Sequence, residues 1–194
     1  MPVSALAFGS GNRSGRPGLQ ASRANAPGPP LGELAFRTAL DRPLDFDRIF
    51  RLVRETTMAA LGRERTGLGL ALSDLPPSLG AYWPVTGNLI VLNEGLVETM
   101  RRYSDSPVEF NSFVFVILAH EYLHTLGYLS ESEVRPVTAR VARFAFGPEH
   151  PATRMAEGDL WRMYPFLQGS PAGNGTRLRI VPRFDLDSTS NYIR

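Results

Sequence analysis

Seven consecutive apolar residues, Phe113–Ala119, run directly into His120-Glu121-Tyr122-Leu123-His124. Upstream, Ser106-Pro107-Val108-Glu109 reads as a capping box with proline at the first helical position, so one helix is expected to open there and continue through the histidines. With Phe110 added, this helix is apolar on nearly every side, the mark of a helix buried all round. The remainder of the chain therefore has to be wrapped about it. Ionisable groups at the end of such a helix are costly unless they are paired or bound to a cation. Two imidazoles and a carboxylate placed there call for partners.

Their spacing says which partner. Positions i and i+4 share one helix face about a turn apart, so His120 and His124 can reach one metal ion, zinc above all. Glu121 projects beside that ion, where a carboxylate can take a proton from a water the metal polarises. Catalytic zinc usually has three protein ligands. The chain has three histidines, and His150, in Phe146-Gly147-Pro148-Glu149-His150-Pro151, is the first choice for the third ligand. Glu131, Glu133 and Glu149 are the carboxylate alternatives. Glu133 already has a structural use as the capping-box partner of Ser130.

Through His120-Glu121-Tyr122-Leu123-His124 and the following Gly127 the chain resembles the zincin metallopeptidases, most of all the small single-domain ones, over about residues 32–167. Ser130 stands where the long metzincin pattern has a third histidine, so the third ligand has to come from elsewhere. The resemblance implies an α+β fold, a single zincin-like domain with a small mixed sheet packed on the buried HExxH helix. It implies a zinc-dependent peptidase acting on a peptide or protein substrate, with Glu121 as general base. It also implies a glutamate third ligand on the helix after the motif, and a His or Tyr that stabilises the oxyanion: His150 if it is not a ligand, otherwise Tyr128, Tyr82 or Tyr164. Finally, it implies an edge strand above the metal that pairs with extended substrate. Asn88–Leu92 or residues 80–83 are the candidates for that strand, giving Asn88, Leu89, Ile90 and Tyr128 as expected substrate contacts. A binding or assembly module that uses basic tails instead of chemistry is the competing expectation, against which the intact Glu121 speaks.

Charge is uneven along the chain. The formal net charge is +2 and every basic residue is arginine, yet the excess lies in the terminal stretches while the middle is acidic, which speaks against a nucleic-acid-binding face. There is no cysteine, so no Cys-ligated zinc and no disulfide framework. No apolar run approaches the roughly 18–20 residues of a membrane span, and the start of the chain makes a poor signal peptide. A cytoplasmic location is the expectation.

Residues 1–30, rich in Gly, Ala, Pro and Arg, are expected to be disordered, residues 31–167 to form the domain, and residues 168–194 to be a flexible tail. Asp45 is expected to cap a helix that Gly62 ends. Leu68, Leu70 and Leu72 read as a strand, and Thr86-Gly87 as the turn of a hairpin. Asn93 and Ser130 are expected to open further helices. Within the tail Leu178–Phe184 is strand-like, and it is expected to add to a sheet edge, in its own cleft or on a protein partner.

Overall fold

The computed structural model describes residues 3–5, 36–182 and 184. Apart from residues 3–5, the N-terminal stretch expected to be disordered lies outside the described residues.

Helix α1 (Phe46–Leu61) opens on Asp45, whose carboxylate accepts from the Arg48 N–H, and closes on Gly62 in the left-handed region. It buries Ile49, Phe50, Leu52 and Val53. The sheet that follows has the order β1-β3-β4-β2-β5, with β1 at Val3–Ala5, β2 at Gly69–Ser73, β3 at Ala81–Pro84, β4 at Leu89–Asn93 and β5 at Leu178–Ile180. β2 and β4 are parallel, and all other neighbours are antiparallel. The sheet is thus mixed, and the fold is a single α+β domain. The β3–β4 hairpin turns at Thr86, where φ is 72°, and Trp83 Nε1 donates to the Gly87 carbonyl at 2.8 Å, pinning the turn.

Asn93 ends β4 and caps α2 (Glu94–Tyr103). Its buried amide donates to the carbonyls of Leu75, Pro76 and Leu79, so one side chain satisfies a loop whose carbonyls would otherwise be costly to bury. Helix α3 (Pro107–Thr125) is the all-apolar helix, capped by Ser106 as the pattern predicts and buried continuously from Phe110 to His124. Phe113, Phe115, Ile117 and Leu118 are at most 2% exposed. Burial of side chains of this size is worth roughly 1.5–3 kcal/mol apiece, so this helix anchors the core. Asn111 fastens its start to the chain before α1 by donating to the carbonyls of Leu40 and Arg42.

After a turn at Gly127 come α4 (Glu131–Phe146), α5 (Pro151–Glu157) and α6 (Leu160–Met163). α1, α4 and α5 pack on α3, which is joined on another side by β3. Among the described residues no helix is long and apolar enough to cross a membrane.

Of the stretch that composition marks as a flexible tail, the described residues 168–182 and 184 are docked. Gly175 N–H donates to the Asp74 carbonyl, Arg177 N–H to the Asp74 carboxylate, and β5 pairs with β2. Phe184 is buried, with its ring 4.5 Å from that of Phe50. The strand-like segment therefore adds to an edge of its own sheet, on the far side of β4 from β3.

Candidate metal centre

His120 and His124 lie in the last turns of α3, and Glu131 is the first residue of α4. A short turn brings them together. Gly127 takes φ 98°, a conformation that L side chains rarely adopt, and the chain doubles back so that the start of α4 faces the end of α3. The turn is held from outside by two arginines. Arg63 donates to the Leu126 carbonyl and lies over the Tyr128 ring; Arg65 donates to the carbonyls of Thr125 and Gly87 and lies over Trp83. Their charges also suit the negative end of the α3 dipole.

The three side chains converge on one point. His120 Nε2 and His124 Nε2 are 3.1 Å apart, and Glu131 Oε1 is 3.4 Å from the first and 3.3 Å from the second. Tetrahedral bonds of about 2.0–2.1 Å separate ligand atoms by about 3.3–3.4 Å. The triangle is therefore the size that a tetrahedral ion needs, and its donors, two imidazoles and a carboxylate, suit zinc.

Protons alone serve this cluster poorly. His124 Nδ1 is 2.7 Å from the Tyr128 carbonyl, to which it donates, so in the neutral ring Nε2 carries a lone pair aimed at the cluster. Burial, the largest influence, pushes His120 below its usual range and favours its neutral form. Burial works to raise the Glu131 carboxyl as well, but the hydrogen bonds and charges of His120 and His124 outweigh it and hold Glu131 at about 2. An ionised carboxylate thus wants cations beside it while burial keeps His120 uncharged. Arg135 Nε, 3.5 Å from Glu131 Oε2, sets one cation beside the carboxylate, and His120, only 3% exposed, stays neutral rather than supplying a second.

Glu121 stands next to it in a different state. It is fully buried, and neither carboxylate oxygen has a hydrogen-bond partner. Burial raises its pKa well above the usual carboxyl value and the Glu131 charge adds to this, while the Trp83 main chain pulls the other way. An unpartnered buried carboxyl is costly to the fold.

The remaining predicted residues are sorted by the topology. His150, first choice as third ligand, is not in the cluster. It follows α4, whose 16 residues span about 24 Å, and so lies at the opposite end of that helix from Glu131. There its Nδ1 accepts from the Ala152 N–H as the cap of α5, and its ring stacks on Phe146. Glu149 is exposed on the same turn. Glu133 is turned back, accepting from the Ser130 hydroxyl at 2.9 Å. Asn88, Leu89 and Ile90 fail as open-edge substrate contacts: β4 is central, engaged by β3 on one side and β2 on the other, and the Asn88 carbonyl accepts from Gly69. The other candidate strand, now β3, is the one that lies along α3, where Gly80 meets Ile117 and Trp83 approaches Glu121. Tyr128 is half-buried beside His124, whereas Tyr164 interacts with Glu109 at the other end of α3. Compared with protein-family models, curated proteins and solved structures, the chain matches none.

Proposed function

We propose that this chain is a zinc-dependent peptidase in which His120, His124 and Glu131 hold the ion and Glu121 is the general base. The observation that carries the reading is the triangle of donor atoms at 3.1–3.4 Å beside a buried carboxylate without a partner. Held by these three residues, an ion would supply Lewis acidity, polarising a carbonyl and lowering the pKa of a water toward neutrality. Glu121 accepts the proton of the attacking water and returns it to the leaving amine. Its buried surroundings, which raise its proton affinity, equip it for both transfers. The Tyr128 carbonyl fixes the His124 tautomer through Nδ1 so that Nε2 faces the ion. Extended substrate is expected along β3, where Trp83 stands next to Glu121.

Two measurements on the purified chain test this together. Elemental analysis should find about one zinc per chain in protein never exposed to chelator. Glu121→Gln should retain that zinc and lose roughly two orders of magnitude or more of turnover on an unstructured polypeptide. Full turnover with zinc retained would remove Glu121 from the chemistry. A zinc-bearing chain that cleaves no such polypeptide would instead favour the binding-module reading.

A further inference from the structure

β3 has one side taken by β4. Its other side, the one a peptide strand would use, is occupied by the chain's own N-terminal segment. β1 runs antiparallel to β3 with Val3 opposite Pro84, Ser4 opposite Trp83 and Ala5 opposite Tyr82. Trp83 is also the residue whose main chain approaches Glu121, so the register sets Ser4 against the part of β3 nearest the base. A strand on this edge engages main-chain groups that an extended substrate needs.

We infer that Val3–Ala5 is a tethered occupant of the substrate edge, holding the site closed until a substrate strand or a partner displaces it. The inference rests on the peptidase reading for its consequence, but not for the occupancy itself. Three features favour displaceable closure over a permanent sheet edge. The strand is only three residues long, so few ladder bonds hold it. Its β3 partner at one end is Pro84, which has no N–H to donate, and Pro2 just before Val3 likewise donates nothing. Because the occupant belongs to the same chain, dilution does not release it, whereas a substrate competes according to its concentration.

The test uses the full chain with Ser4→Pro and Ala5→Pro together, since proline removes the donors and restricts the backbone that β1 brings to the ladder. With zinc content equal in both, cleavage of carboxymethylated casein should rise about tenfold or more over the unsubstituted chain, a gain on the scale of a few lost main-chain bonds. A labelled synthetic peptide of residues 1–8 should bind the substituted chain and suppress that gain, while binding the unsubstituted chain poorly. Amide exchange at Ala81–Trp83 should quicken on substitution and slow again with the peptide. Equal cleavage with faster exchange would overturn the closure, and unchanged exchange with equal peptide binding would overturn the occupancy. If neither chain cleaves casein although both carry zinc, the peptidase reading fails, and the peptide and exchange arms still decide where the segment sits.

Discussion

Glu131 and Glu133 are two positions apart at the start of α4, and only Glu131 reaches the histidines. On a helix two residues apart point some 200° away from each other, and Glu133 is held by the Ser130 hydroxyl. Glu131→Gln should therefore strip zinc from the purified chain or weaken its binding by roughly one to two orders of magnitude, while Glu133→Gln leaves zinc content unchanged; titration with a competing chelator reads both. His150 supplies a third arm. Burial lowers its pKa, with nearby Asp41 opposing, so the fold favours the neutral ring. The sign follows: the stability it contributes is complete above the unfolded value of about 6.5 and is lost as the pH falls through that value toward the lower folded one. His150→Asn keeps a good helix cap but cannot titrate. Its melting temperature should fall less than that of the unsubstituted chain between about pH 7.5 and 5.5, with zinc retained throughout. Loss of zinc in this variant would return His150 to the ligand set.

At the scale of elements, the buried helix, its Ser106 cap and the placement of His120, Glu121 and His124 were readable because each rests on local chemistry; the Glu109 carboxylate accepts from the Asp105 N–H, one residue before the cap. An all-apolar helix has one physical solution, and i, i+4 spacing fixes a common face wherever the helix lies. The third ligand depends on something nonlocal, the direction in which the chain leaves α3. One signal for it was present: Gly127, three residues past His124, permits the left-handed turn that sends α4 back, and the first residue of a returning helix is the one that arrives beside the histidines. Likewise, composition cannot tell a central strand from an edge strand, because Leu89–Asn93 and Ala81–Pro84 are both apolar and differ only in their neighbours. Gly127 offers a test of the turn. A Cβ at that position meets nothing closer than an Arg63 nitrogen at 3.9 Å, so space is not the obstacle and the backbone is. Gly127→Val should cost about 1–3 kcal/mol in unfolding free energy through the unfavourable φ. It should also weaken zinc binding, because relaxing the turn withdraws Glu131. A loss of stability with unchanged zinc affinity would mean that α4 is positioned by its core contacts alone.

Across the sheet, β3 and β2 are each covered on their outer side by a terminal segment, β1 against β3 and β5 against β2. The open edges are then β1 and β5 themselves, and strands of three residues offer few free ladder groups for pairing between chains. The two closures are not equivalent. β1 is short and covers the edge beside Glu121, whereas the C-terminal segment is fixed at several points: an ion pair from Arg179 to Glu94, the buried Phe184 on Phe50, and a close pass of its backbone over the loop after β2. Gly- and Ser-rich composition read as a loose linker because periodicity reports side chains, while what holds this stretch is main chain packed on main chain. At Gly173 that contact is tightest, since a Cβ there would lie 2.0 Å from the Asp74 carbonyl oxygen, and backbone on both sides leaves little room to yield. Gly173→Ala should therefore force the segment from its seat, lowering unfolding free energy by about 1–3 kcal/mol, as overpacking does. Amides of β2 and the Val181 N–H, which donates to Leu70 at 2.8 Å, should exchange faster. Zinc content and turnover should stay as they are, because β5 is separated from β3 by both β2 and β4. A rise in turnover in Gly173→Ala would show that the C-terminal segment, and not β1 alone, restrains the site.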